Sequence, residues 1–367
     1  PPPPPPPPTR QSSSAASDVY KRQEVKTPNL DRLAAQGTSF ERAYNSGAWG
    51  GAVCVASRAM LMTGRQLWYA ESEQKQVKKL YEDTGKSWPQ LMAAAGYETY
   101  MTGKWHVKMS ADKIFGTARN VRPGMPGTVK ASYLRPVKGE KDPWDPADKS
   151  IGGFWKGGKH WSEVEADTAV DYLKAAKGSE EPFFMYIAFN APHDPRQAPQ
   201  EYLDMYPVEE VPLPENYATE YPYRDPMGAP HGLRDEKLAP MPRSEFAVKT
   251  HRREYYAIIS HMDAQIGRVL KALEESGKAG NTYVVFSADH GLAVGRHGLF
   301  GKQNMYDHSV RVPWIVRGPG IGKGKKINIP IYLQDVMPTA LEWAGAEVPE
   351  HVQFGSLVPL LKGEIPK

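Results

Sequence analysis

The strongest hydrophobic period in the chain runs from His251 to Glu275. Tyr255, Ile258, Ile259, Met262, Ile266, Val269, Leu270 and Leu273 return every three or four residues, and Gly277 stops the pattern. This predicts one long amphipathic helix. A shorter helix is predicted after Thr27, with Pro28 at its first position, Leu30, Leu33 and Ala34 as its buried stripe and Gly37 as its stop. Others are predicted from Cys54 through Met62, from Ser87 to Ala95, from the capping box Ser162–Glu165 to Lys177, and from Asp335 to Ala344. Phe183 to Phe189 is an unbroken apolar run, as expected of a strand buried on both faces. Thr38–Tyr44, Glu98–Thr102, Thr282–Phe286 and Trp314–Val316 read as further strands. Four stretches lack a period. Residues 70–86 read as polar and exposed, 107–161 as irregular, 194–250 as a proline-rich surface excursion, and Gly355–Lys367 as lacking a closing element.

Helices alternating with buried strands predict an α/β fold: a mainly parallel central sheet sandwiched by helices. Polar residues gather where strands end. Lys104 and His106 follow one strand, His193 follows the next, and Asp289 with His290 follows another; Lys302 comes soon after. Right-handed crossovers place such ends on one edge of the sheet, facing one cleft. A carboxylate beside an imidazole at a strand end is a candidate metal pair, oxygen favouring Ca²⁺ or Mg²⁺ and nitrogen softer ions. His251 and His261 read as ordinary helix residues. Trp155, Lys159 and Trp161 suit either stacking on an anionic sugar or loop packing.

Charge and composition narrow the partners. A net charge of +4 over 367 residues, with no basic run interleaved with aromatics, gives no case for nucleic acid. No apolar run is long enough to span a membrane. The single cysteine, Cys54, excludes an intramolecular disulfide. Small residues precede Cys54 and Arg58 stands one helical turn beyond it. A sulfur at a helix start lies where anions are favoured, with a cation on the same side. A buried structural cysteine is the other reading of the same stretch.

Cys54-Val55-Ala56-Ser57-Arg58 resembles the signature of the type I sulfatases, in the alkaline-phosphatase-like superfamily. So do Thr27–Leu33, Gly103-Lys104-Trp105-His106, Ala191-Pro192-His193, Asp289-His290-Gly291, and Gly301-Lys302 through Pro313, in that order. The resemblance spans about Thr27 to Leu361. It implies a sulfuric ester hydrolase acting on a sulfated carbohydrate. Cys54 would be oxidised by a maturation enzyme to formylglycine, whose hydrate attacks sulfur. Arg58 would hold that hydrate, and Lys104, His193 and Lys302 would bind the sulfate. His106 would orient the hydrate and take a proton from it, and His193 would protonate the leaving alcohol. Asp289, His290 and residue 54 would hold a divalent cation, Ca²⁺ or alternatively Mg²⁺. Export to the periplasm or medium is also implied.

Two departures from the family pattern stand out. Residues 1–23, eight prolines followed by a serine-rich stretch, read as an artefactual leader. The family's N-terminal strand with its metal-binding aspartates, and its C-terminal small sheet, are expected to be missing or incomplete. Residues 24–367 then form one sulfatase domain, truncated at both ends, with activity of the chain as it stands left open. Asp289-His290, where many relatives carry Asp-Asn, keeps a phosphodiesterase or phosphonate hydrolase as an alternative. A non-catalytic sulfoglycan-binding relative is another, and a plain Cys54–His106 thiol nucleophile is the third.

Overall fold

The computed structural model describes residues 24–127, 129–151, 155–228 and 232–364. The expected leader, residues 1–23, lies outside them, as do Gly152, Gly153 and Phe154 of the aromatic insertion and the last three positions of Gly355–Lys367. In chain order the elements used below are α1 (Pro28–Gln36), β1 (Thr38–Phe40), β2 (Ala43–Tyr44), α2 (Val53–Thr63), α3 (Trp88–Ala94), β3 (Glu98–Lys104), β4 (Thr117–Arg122), α4 (Trp161–Lys177), β5 (Phe183–Ala188), α5 (Glu245–Glu275), β6 (Val284–Ser287), β7 (Arg311–Val312), β8 (Trp314–Arg317), β9 (Lys325–Ile327), β10 (Ile331–Tyr332) and α6 (Val336–Trp343).

β4, β3 and β5 form an all-parallel sheet with β3 in its centre. Its register runs from Glu98 opposite Phe183 to Gly103 opposite Ala188, so both strands end level with one another. A second sheet has the order β9, β1, β8, β6 and mixes parallel and antiparallel pairs. A small third sheet joins β10, β2 and β7. α4 packs on β3 and β5 and is covered by the long α5, against which α1 also lies. Asp263 on α5 fixes α1 by accepting from the backbone N–H groups of Asn29 and Leu30, two donors a helix start leaves without internal partners. On the other side α2 meets α3 and α6 around a core that includes Met62, Met101 and Trp314.

Several local expectations are corrected. Thr38–Tyr44 is two short strands in different sheets rather than one. The cap of α4 is His160, whose ring accepts from Ser162 N–H, so Ser162 lies inside the helix. Residues 70–86 are helical and partly buried, because Ala70, Val77 and Tyr81 give them an apolar side. The irregular 107–161 segment contains β4, whose Thr-Ala-Arg-Asn-Val-Arg sequence has no apolar run to betray it. Within that segment Trp155 is buried and Lys159 pairs with Asp167 at 2.7 Å, which favours loop packing over a sugar platform. Residues 194–250 are no surface excursion: Asp194, Arg196, Asp235, Glu236 and Arg243 are all buried there. Val358–Lys362 forms a short helix within 355–367. His251 and His261 are buried helix residues, as expected.

The end of β3 depends on Gly103. Its φ is +95°, and a Cβ there would stand 2.2 Å from the Ala188 carbonyl oxygen. The strands approach closely at this point, one residue before Lys104. Gly103→Ala is expected to destabilise the protein by about 2 kcal/mol or more through backbone strain and overpacking. Urea unfolding measures this; a variant as stable as wild type would contradict the account of the β3–β5 junction.

Candidate active site

The sequence of α2 places a sulfur and a guanidinium inside the protein. From Val53 to Thr63 nearly every side chain is buried, including Cys54, Ser57 and Arg58. Cys54 lies in the first turn, close to the N–H groups that no intrahelical carbonyl satisfies. Arg58, one turn on, cannot reach bulk water and finds protein partners instead. Its Nε lies 2.9 Å from Asp289 Oδ2, and its Nη1 donates to the Lys104 carbonyl and, at 3.4 Å, to Tyr186 Oη. Lys104 Nζ stands 3.8 Å from the same Asp289 oxygen. Asp289 is thereby shared by two cations. Burial would push its carboxyl up, but His290, Lys104 and Arg58 outweigh this and hold it well below the usual range.

Around the sulfur the cations close in. His290 Nε2 is 3.0 Å from Cys54 Sγ, and its Nδ1 is 2.8 Å from the Gly291 carbonyl oxygen. A carbonyl only accepts, so Nδ1 carries a proton. A second proton is then shared between Sγ and Nε2. Burial would raise the Cys54 thiol, but His290, Lys104 and Lys302, with a hydrogen bond from His106, hold it well below its ordinary value. His106 has a left-handed backbone, φ +56°, which turns the chain just beyond β3.

Lys302 completes the ring from the opposite loop. Its Nζ is 3.1 Å from His193 Nε2, while His193 Nδ1 faces the Asp194 carbonyl at 2.8 Å. His193 therefore donates through Nδ1 and accepts from the ammonium through Nε2. Burial, with Lys302, lowers its basicity. The Cys54 sulfur and Lys104 also lie near enough to His193 to act on it electrostatically. All eight residues singled out in the sequence meet at one place: Cys54, Arg58, Lys104, His106, His193, Asp289, His290 and Lys302. Tyr186, Asp194, Asp235 and Gln303 belong to the same surroundings and were not singled out. Asp194 and Gln303 are chain neighbours of His193 and Lys302, a signal that was available. Tyr186 is hidden in an apolar strand and Asp235 in a proline-rich stretch.

Sγ of Cys54, a carboxylate oxygen of Asp289 and Nε2 of His290 lie within 4.8 Å of one another. A histidine whose far nitrogen donates to a carbonyl is arranged as metal-binding histidines are. The group fits a divalent cation, which would replace the proton shared by Sγ and Nε2.

A buried sulfur and a metal-type triad, ringed by lysine and histidine, match an anion-transferring centre. A family model described as Sulfatase matches residues 11–346. The chain belongs to the sulfatase family. It is 31% identical to an arylsulfatase of Clostridium perfringens, over 92% of this chain and 74% of that protein. It is 27% identical to an N-acetylglucosamine-6-O-sulfatase of Bacteroides thetaiotaomicron, over 93% of this chain and 67% of that protein. Among solved structures, a phosphonate monoester hydrolase from Silicibacter pomeroyi has a TM-score of 0.72 at 24% identity, covering 96% of this chain and 75% of that one. A protein solved in complex with D-glucosamine-2-N,6-O-disulfate gives 0.69 at 24% identity, covering 95% and 78%. At that identity the two structures establish the shared fold. The sulfatase reading of fold and reaction class, a sulfuric ester hydrolase, therefore stands.

The sulfur's surroundings make a testable statement. At about pH 7, below the ordinary thiol value of about 8.5, the chain is expected to show the ultraviolet band of a thiolate, and Cys54→Ser to lack it. Because the folded thiol titrates below the unfolded one, its ionisation adds stability that is full above about pH 8.5 and is lost as pH falls through the folded value. A wild-type band that emerges only near pH 8.5 would contradict the electrostatics described.

Proposed function

We propose that the chain hydrolyses sulfate esters of carbohydrates, with residue 54 as the site of attack. The observation that carries this is the convergence of Arg58, Lys104, Lys302, His106 and His193 on one buried sulfur, with Asp289 and His290 beside it. The names of relatives that act on N-acetylglucosamine-6-O-sulfate and on ulvan support a sulfated glycan as substrate.

Sulfate ester cleavage builds negative charge on the departing oxygen and on the equatorial oxygens, so fixed cations lower its barrier. Lys104 and Lys302 bind the sulfate oxygens. Arg58 offsets negative charge at residue 54. His106 orients the hydrate and takes the proton of its second hydroxyl, so that the bond from residue 54 to sulfate breaks and the aldehyde re-forms, while His193 protonates the leaving alcohol. The Lys302 ammonium, 3.1 Å from His193 Nε2, keeps its charge and holds that ring beside the sulfate it binds. Formylglycine, made from Cys54 by a maturation enzyme, supplies an oxygen nucleophile as its hydrate. A divalent cation held by Asp289, His290 and residue 54 supplies Lewis-acid polarisation. Exchange of sulfur for oxygen at residue 54 moves the preference of that site toward Ca²⁺ or Mg²⁺. The proposed location is periplasmic or secreted; no described helix is long and apolar enough to cross a membrane.

Cys54→Ala is expected to abolish release of inorganic sulfate from sulfated oligosaccharides while costing about 1 kcal/mol of stability, since little volume is lost. The assay uses chain co-produced with a maturation enzyme. More than about a tenth of wild-type turnover in the variant would remove residue 54 from the chemistry. Phosphonate monoester hydrolysis without sulfate release by the wild type would favour the phosphonate reading.

Calcium binding gives a separate check. Asp289→Asn and His290→Ala are each expected to weaken Ca²⁺ binding by about tenfold or more, measured by calorimetry. Unchanged affinity in both would place the cation elsewhere.

A further inference from the structure

A buried charge network lies behind Lys302, and the proposed mechanism leaves it unused. The Asp194 and Asp235 side chains are 1% and 3% exposed. Arg234 serves both: its Nη1 is 2.8 Å from Asp194 Oδ2, and its Nη2 pairs with Asp235 Oδ1. The other Asp235 oxygen faces Lys302 Nζ at 3.4 Å and accepts from Gln303 Nε2 at 3.0 Å. That amide nitrogen also donates to the Gly51 carbonyl at 3.0 Å, and Gln303 Oε1 accepts from the Lys302 backbone N–H at 3.1 Å. Gly51 stands three residues before Cys54. One carboxylate thus ties the 233–238 turn to the Lys302 loop and, through Gln303, to the start of α2.

Burying such a network costs desolvation that its ion pairs do not readily recover. Stability alone is a weak reason for it; position is a better one. A lysine carries its charge on a flexible four-carbon stem. Arg234, on the same carboxylates, repels the Lys302 ammonium and favours its displacement. A fixed anion beside it opposes that displacement.

We propose that Asp235 is a positioning residue for anion binding: its carboxylate, fixed by Arg234 and Gln303, sets where the Lys302 ammonium points. This rests on the proposed sulfatase site, in which Lys302 holds the substrate's oxygens. The electrostatics agree with the geometry. Burial would push Asp235 up, but Lys302, Arg234 and His193 hold it well below the usual carboxylate range. Burial would lower Lys302, but Asp235 leads the groups that raise it.

A double-mutant cycle in the full chain tests this, with Asp235→Asn, Lys302→Gln and the pair. The readouts are the association constant for inorganic sulfate by calorimetry, and kcat and KM on an aryl sulfate for matured protein. Asp235→Asn is expected to weaken sulfate binding about tenfold in the wild-type background and less than about twofold beside Lys302→Gln. Equal cost in both backgrounds would show a role independent of Lys302 and overturn the proposal. If Asp235→Asn fails to fold, Asp235→Glu replaces it, displacing the charge by one methylene, and the same comparison decides. Wild-type protein that binds phosphate and not sulfate would refute the sulfatase reading alone. The cycle read with inorganic phosphate would then still decide the role of Asp235.

Discussion

The site depends on a part-buried contact between Arg58 and Asp289. Arg58 links three pieces of the fold that surround the sulfur. Its Nη1 touches the Lys104 carbonyl at the end of β3 and Tyr186 on β5, while its Nε pairs with Asp289 beyond β6. β3 and β5 belong to one sheet and β6 to another. A guanidinium with five fixed donors can make such a three-way junction, and a lysine cannot. Breaking the pair would leave a charge buried without its partner, which is far more costly than never having had the pair.

The same accounting explains why so many charges coexist around one atom. Arg58, Lys104 and Lys302 repel one another and would leave a dry site without compensation. Asp289 compensates Arg58 and Lys104; Asp235 compensates Lys302. What remains is a net attraction for an anion at the sulfur, read out in the depressed thiol. The backbone contributes as well. The start of α2 favours negative charge, and Gly103 lets β3 and β5 run close enough to bring Lys104 to the same edge as the chain leading to His193.

Much of this was legible in the sequence. The long α5, the capped α3 and the place of β5 follow from periodicity, capping residues and β-type runs, although β5 is a sheet edge among the described residues with only Ala188 fully buried, not a strand buried on both faces. The eight site residues follow from polar clusters at strand ends together with the resemblance of their motifs. What escaped detection has physical causes. β4 carries arginine and asparagine instead of an apolar run, and none of its six residues is fully buried. Residues 194–250 read as surface because prolines dominate them. Yet Asp194, Asp235, Glu236 and Arg243 enter the interior there, each paired with a counter-charge, and a sequence does not display such pairing before it is folded. Tyr186 resembles any core aromatic until its hydroxyl is seen beside Arg58.

The central claim is that these side chains form one pocket for a tetrahedral oxyanion next to residue 54. Crystals of the chain soaked with selenate test it most directly, because selenium scatters anomalously and selenate has the shape and charge of sulfate. The account predicts an anomalous peak bounded by Lys104, His193 and Lys302 and adjacent to residue 54. A peak only at the surface, or none at saturating selenate, would contradict it.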